Sequence, residues 1–317
     1  MKRLPLALFG LSLSLFASTG AAATFNGVSA DITDFENGTE VSTRGTLVDA
    51  VNLLNDNVDG LGVSTTINGV LFKGTQPGSF HEGAESFGEA SFVYHGGDGY
   101  ADANLWSSGG AYDVLADSQI YNVDNGNINT GDGFGVVNLL PGQLYELQIF
   151  MLDDRSGISK TFPLQFQQAA FTGNADELDA NMPAVELAYM TGVTIGGNGV
   201  TQANGEIATI TFSIDAGFNG LLVNSWDGGA FNGMQLRTVE ATPGDLDLNG
   251  IVDGNDFLVW QRGFGTLYSD AELNAIKANF GAPGVGAAIA SVPEPTVAAL
   301  LASGAMLGGM LRRGRRG

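Results

Sequence analysis

Residues 245–256 carry the densest chemistry of the chain: Asp-Leu-Asp-Leu-Asn-Gly-Ile-Val-Asp-Gly-Asn-Asp. Side-chain oxygens fall at positions one, three, five, nine and twelve of this stretch, with Gly250 at position six. Carboxylate and amide oxygens at that spacing can converge on one hard cation, and Ca²⁺ takes about six to eight oxygen ligands. Asp245, Asp247 and Asn249 are expected to ligate through their side chains and Ile251 through its backbone carbonyl. Asp253 would act directly or through water, and Asp256 would close the shell from the start of a helix. An ion-free Asp/Asn/Gly turn is the competing reading. Six matched positions running into the apolar helix Phe257–Arg262 favour the ion.

Position twelve is Asp256, not the long bidentate Glu of an EF-hand loop. With that departure, Gly244–Phe257 running into Leu258-Val-Trp-Gln-Arg262 resembles the type I dockerin repeat. The resemblance implies calcium held with Asp at position twelve and no incoming helix. A complete dockerin has two loop–helix halves. Here Glu272–Gly281 parallels Asp256–Gly265 at an offset of sixteen residues, but Leu267-Tyr-Ser-Asp270 lacks a second ligand set. One calcium site is therefore expected, in a small helical module over residues 244–284. Dockerins pair with cohesin domains in cellulosomes, and the degenerate second half argues against a cohesin partner here.

The elements around this module begin with two address-like ends. Met1-Lys-Arg3, the apolar run Leu4 to Ala17 and the small residues Ala21 to Ala23 have the three regions of a secretory signal peptide, with cleavage expected after Ala23. A buried core helix fits the basic start and small-residue exit poorly. Residues 285–291 read as a linker. Beyond them Val292-Pro-Glu-Pro295 leads into an apolar run from Thr296 to Leu311, then Arg312-Arg-Gly-Arg-Arg316. Sixteen residues at about 1.5 Å each reach roughly 24 Å, the short limit for a membrane-spanning helix. The arginines would stay cytoplasmic. Pro293, Glu294 and Pro295, one short span and a basic end together resemble the PEP-CTERM sorting signal over residues 292–317. That resemblance implies an exosortase-type sorting protease as partner, and a cell-surface, outer-membrane or extracellular-matrix destination after transient anchoring. A permanent tail anchor is the alternative.

Six of the thirteen basic residues lie in these terminal segments, which leaves seven against 33 acids once Glu294 is set aside, about −26 for the body. Such a surface repels nucleic acid and anionic lipid and favours divalent cations. Solvation of a secreted protein is the blander reading of the same acidity. The chain has no cysteine, so an exported body of this size would rest on its core and on metal instead of disulfides.

Residues 24–240 read as mainly β. Apolar or alternating runs recur at Thr65–Phe72, Ala90–Tyr94, Val136–Leu140, Leu144–Leu152, Thr161–Phe166, Ala208–Ile214, Gly220–Asn224 and Gly233–Val239. Asn-Gly, Asp-Gly and Gly-Gly pairs separate them. One or two helical turns are expected in Ala111–Ile120 and Asp176–Asp179. Even strand spacing predicts a two-sheet jelly-roll sandwich. Gly45–Asn52, Ile67–Phe72, Gly110–Leu115, Leu139–Phe150 with Asp153-Asp-Arg155, and Phe231–Arg237 together resemble secreted β-sandwich modules of the galactose-binding or malectin type, as in planctomycete-type exported proteins. The resemblance implies a jelly roll and glycan binding, without assigning ligand residues.

No catalytic constellation stands out. His81 and His95 lack metal-ligand spacing, there is no Gly-x-Ser-x-Gly elbow, and no thiol is available. Asp153 and Asp154 follow a strand and could line a cleft, although a turn with a salt bridge is the simpler account. Trp106, Trp226, Tyr100 and Tyr112 could stack on sugar faces or cap the sandwich core. The sequence therefore points to an exported, non-catalytic glycan-binding or scaffolding protein with one structural Ca²⁺. A polysaccharide-degrading glycoside hydrolase and a purely structural matrix protein are the alternatives. An extracellular polysaccharide is the expected partner.

Overall fold

The computed structural model describes residues 23–53, 64–74, 85–87, 92–95, 98–101, 110–116, 118–121, 133–153, 160–171, 184–195, 204–225 and 230–281. The chain divides into two compact units, Met1–Ala241 and Thr242–Gly317.

Strands dominate the first unit. In chain order they are β1 (Phe25–Asp31), β2 (Thr46–Asn52), β3 (Thr65–Ile67), β4 (Val70–Gly74), β5 (Glu85–Phe87), β6 (Phe92–His95) and β7 (Asp98–Ala101). The short helix α1 (Asp113–Ala116) precedes β8 (Ser118–Tyr121), β9 (Gly133–Val136), β10 (Tyr145–Asp153) and β11 (Lys160–Ala169). They are followed by β12 (Ala184–Ile195), β13 (Asn204–Phe212), β14 (Gly220–Ser225), β15 (Ala230–Phe231) and β16 (Gly233–Thr238). One sheet has the order β1-β13-β10-β16-β2-β4-β3, a second β12-β11-β14-β9-β6-β5, and a small third β15-β8-β7. All pairings are antiparallel except β2 with β4.

Period-two alternation places the core between the two large sheets. Tyr145, Leu147, Ile149 and Met151 of β10 and Ala208, Ile210 and Phe212 of β13 meet Phe162, Leu164 and Phe166 of β11 and Leu221 and Val223 of β14 in one buried cluster. The architecture is thus a mainly β, sandwich-like body. Beyond Ile149 the strand β10 is apolar on both faces, because Phe150 and Leu152 enter a second cluster with Phe72, Tyr112, Leu115 and Ile207. A strand covered on both sides loses its polar alternation. Phe150 sits edge-on to Phe72, with ring centroids 5.3 Å apart.

The other half of that second face is polar yet buried. Gln148 Nε2 donates to the Glu40 carbonyl at 3.1 Å, and Ser42 N donates to Gln148 Oε1 at 2.8 Å. Gln235 Nε2 donates to the Ser42 carbonyl at 3.1 Å, and the Arg237 guanidinium donates to the carbonyls of Arg44 and Gly45. These side chains bind residues 40–45 across the sheet by satisfying their backbone.

Several expectations need correction. Thr65–Phe72 is not one strand but the β3–β4 hairpin, closed at Asn68 (φ 48°) and Gly69 (φ 77°) with the both-positive dihedrals of a type I′ turn. The strand expected at Val136–Leu140 ends at Val136, because Asn138 turns left-handed (φ 60°) and the chain reverses before β10. β12 was not anticipated; its two bulges against β11 and its half-exposed edge position break the alternation. The turns expected in Ala111–Ile120 are α1, which gives way to β8. Asp176–Asp179 lies outside the described residues.

The second unit holds α2 (Gly254–Gly263) and α3 (Asp270–Asn279). Each helix starts about two residues before its expected boundary. Both open on a reciprocal capping box, Asp253 with Asp256 and Ser269 with Glu272. Among the described residues no helix is long and apolar enough to cross a membrane. The signal segment through Ala22 and the sorting segment 292–317 lie outside the described residues.

Candidate metal centre

The loop ahead of α2 is folded by its own acidic side chains. Asp245 Oδ2 accepts Gly250 N at 2.9 Å, Asp247 Oδ1 accepts Asn249 N at 3.2 Å, and Asn249 Oδ1 accepts Ile251 N at 2.8 Å. Asp256 takes three backbone donors, Leu246 N at 2.6 Å and Asp247 N at 3.1 Å on Oδ1 and Asp253 N at 2.7 Å on Oδ2. Asp253 Oδ1 in turn accepts Asn255 N at 2.7 Å and starts the helix. Gly250 adopts φ 88°, a conformation that disfavours any side chain, so the loop reverses where the ligand spacing requires it.

These bonds bring like charges together. Carboxylate oxygens of Asp245, Asp247 and Asp256 all lie within 4.8 Å of one another, and Asp245 and Asp256 are buried. Burial pushes the Asp247 carboxyl above its ordinary value; the Asn249 backbone N–H opposes this, and the charges of Asp256 and Asp253 push it further up. Three carboxylates so close repel unless a proton or cation sits among them. The donor set is entirely oxygen, which suits a hard cation such as Ca²⁺ over zinc or copper. A carboxylate oxygen that accepts one backbone N–H keeps a second lone pair for an ion. Asp253 lies at the helix cap and Asn249 on the exposed rim, so the three buried or half-buried aspartates form the centre of the set.

The second half of the module repeats the helix and capping box of the first at an offset of sixteen residues. Gly265 N donates to the Tyr268 carbonyl at 2.9 Å, and Gly281 N donates to the Val252 carbonyl at 2.9 Å. Each pair maps onto the other by the sixteen-residue offset. Capping and cross-pairing persist, while Gly263–Ser269 forms a tight turn without converging oxygens. The Ser269-x-x-Glu272 box was legible in the sequence as a Ser followed three residues later by Glu, but was missed.

Among the candidates in the body, Asp153 closes β10 opposite Asn204. Asp154, Trp106 and Trp226, together with Pro293, Glu294 and Pro295, lie outside the described residues. Tyr112 is a core residue: fully buried, with its hydroxyl donating to Glu40 Oε2 at 3.3 Å. Burial, with Glu40 and Asp34 nearby, raises its pKa well above the usual phenol range.

No family model matches the chain. No curated protein matches it either. Among solved structures it is similar to the CBM22-1 xylan-binding domain of Paenibacillus barcinonensis Xyn10C, at 15% identity and a TM-score of 0.27, over 51% of this chain and 92% of that one. It is also similar to the ANXUR2 extracellular domain of Arabidopsis thaliana, at 12% identity and TM-score 0.25, over 62% of this chain and 49% of that one. The ANX2 ectodomain of the same plant gives 10% identity and TM-score 0.25, over 62% and 50%. The chain spans about half the length of these two plant ectodomains. At such scores none of the three bears on ligand or activity.

Proposed function

We propose that this chain is an exported, non-catalytic surface or matrix protein whose β-sandwich body binds or scaffolds extracellular polysaccharide and whose helical module is folded around one Ca²⁺. The observation that carries the calcium reading is the convergence of Asp245, Asp247 and Asp256 within 4.8 Å in a loop of all-oxygen donors. Asp245, Asp247, Asn249, the Ile251 carbonyl, Asp253 and Asp256 would hold the ion, and its charge would relieve the repulsion among the carboxylates. The second unit buries only two hydrophobic side chains among its described residues, Val252 and Ile276. So small a core favours coupling of ion binding to folding. Calorimetry of the purified chain, stripped with a chelator and titrated with CaCl₂, tests this. One binding event, lost in Asp245→Ala, is expected; no uptake, or two equivalent sites, refutes it.

The polysaccharide half of the proposal rests on an acidic, cysteine-free body without a marked catalytic constellation, and on the terminal address patterns. Processing near Pro293-Glu-Pro295 by an exosortase-type protease belongs to the same proposal. Mass spectrometry of the mature protein from its host is expected to find the Arg312–Arg316 end removed; recovery of that end intact from the membrane fraction means a permanent anchor instead.

A further inference from the structure

The lead-in to β1 is fastened to the end of β13 by side chains as well as by the sheet. Ser213 N donates to the Thr24 carbonyl at 3.0 Å, Thr24 N donates to Ser213 Oγ at 3.1 Å, and the two hydroxyl oxygens lie 2.9 Å apart. One residue earlier, Ala23 N donates to Asp215 Oδ1 at 2.7 Å. Asp215 is itself held in place. Its Oδ2 accepts Gln168 Nε2 at 2.8 Å, and its backbone N donates to Gln168 Oε1 at 2.9 Å. Ala23 and Asp215 are both half-buried.

A half-buried carboxylate gains most from a cation, and the strands around Asp215 are poor in bases. β1, β13 and residues 213–219 contain no Lys, Arg or His, and Lys160 opens β11 at the end opposite Gln168. The leader pattern offers two bonds with small residues one and three positions before them: Gly20 and Ala22 before Ala23, or Ala21 and Ala23 before Thr24. We infer that the leader is removed between Ala22 and Ala23, and that Asp215 receives the α-ammonium group this cut creates. The inference rests on the reading of the chain as exported, and adds to it the cut bond and the group that holds the new terminus.

The two cuts leave different chemistry. Removal after Ala23 puts the ammonium on Thr24, whose N faces the neutral Ser213 hydroxyl, and takes the donor away from Asp215 Oδ1. Removal after Ala22 keeps both bonds and places the charge against the carboxylate. In that step water adds across the Ala22–Ala23 peptide bond: Ala22 keeps the oxygen as a carboxylate, and the Ala23 nitrogen becomes –NH₃⁺. The cut acts on the unfolded chain during export, so half-burial of Ala23 in the folded body does not hinder it. The 2.7 Å separation suits a charge-assisted bond. Chain ends fray unless tied down, and this pair ties down β1 where it ends the seven-stranded sheet.

The test uses the full chain as its host exports it. Edman sequencing and intact mass are expected to give Ala23 as the first residue. Thr24 first overturns the inference while leaving the export reading intact; a chain still beginning at Met1 overturns both. A second arm compares the sandwich Tm of the processed wild type with that of Asp215→Asn, which keeps an acceptor for Ala23 N and removes the charge. An α-amine ordinarily titrates at about 7.7–8.0, and a carboxylate partner raises that value. The stabilisation is therefore full below the ordinary value and lost as pH rises through the raised one. The wild type should melt roughly 2 °C above the variant at about pH 6, with the gap closing by about pH 9.5. Asp31, Glu146, Lys160, Glu186 and Glu206, with Tyr145 and Tyr189, are the titratable groups on the strands packed around this end. They are common to both proteins and cancel in the difference. A gap that stays constant with pH, or no gap at any pH, overturns Asp215 as the receptor of a charged terminus. The identity of the first residue is read whether or not Asp215→Asn folds.

Discussion

Asp256→Ala isolates the centre of the acidic loop ahead of α2. The buried carboxylate accepts three backbone N–H groups, from Leu246, Asp247 and Asp253, and completes the capping box of α2. A hydrogen bond to a charged group contributes about 1.5–3 kcal/mol. The three share one carboxylate and are not additive, so the expected loss is about 3–5 kcal/mol. Burying Val252 and Ile276 contributes roughly 3–6 kcal/mol in all, at about 1.5–3 for each side chain. The substitution therefore removes about as much as the module's apolar core supplies, and the module should unfold with or without calcium. Asp256→Asn keeps an acceptor for Leu246 and Asp247 but turns an amide toward Asp253 N, so a smaller loss of about 1–2 kcal/mol is expected. Hydrogen exchange read by mass spectrometry, in excess chelator and in excess CaCl₂, reports both variants. Protection of residues 246–253 should collapse in Asp256→Ala, while peptides from β10 and β13 stay at wild-type rates. Wild-type protection of the loop in Asp256→Ala would refute the reasoning.

Three further perturbations follow from the same structure. A Cβ on Gly244 would lie 2.7 Å from Ile276 N at a φ of +95°, so Gly244→Ala should destabilise the helical module by about 1–3 kcal/mol, read as faster exchange in α3. Phe150→Ala removes a fully buried ring from the second cluster and should cost the sandwich about 3–5 kcal/mol in urea unfolding. Burial works to raise the Glu40 carboxyl, but the backbone N–H groups of Thr33 and Asp34 outweigh it and hold its pKa below the ordinary 4.5. Its stabilisation is present above that ordinary value and lost as pH falls through the lower folded one. Glu40→Gln should thus lower the sandwich Tm at pH 7, with the gap to wild type closing below about pH 4; a constant gap from pH 3 to 7 would refute the assignment.

Local chemistry was legible in the sequence, and long-range chemistry was not. The acidic loop spans twelve consecutive residues, so the spacing of Asp245, Asp247 and Asp256 by itself determined which oxygens could converge. The dihedrals of the Asn68-Gly69 turn likewise depend on two adjacent residues. Residue alternation also placed Tyr145, Leu147 and Ile149 on one face of β10, because the period of a strand is a property of the chain itself.

Only the tertiary structure decided what lies against each face. β1 pairs with β13, almost two hundred residues away, and no local pattern encodes that choice. Glu146 and Gln148 read as a solvent face by alternation, yet residues 40–45 lie across them and bury both. Gln165, Tyr189 and Asn224 become neighbours across one face only when β11, β12 and β14 align. In the helical module, α3 is begun by the local Ser269–Glu272 box, but only folding pairs Gly281 with Val252 and Gly265 with Tyr268. A turn or a loop depends on neighbours along the chain, whereas a face depends on what covers it, and covering is settled by the packing of distant segments.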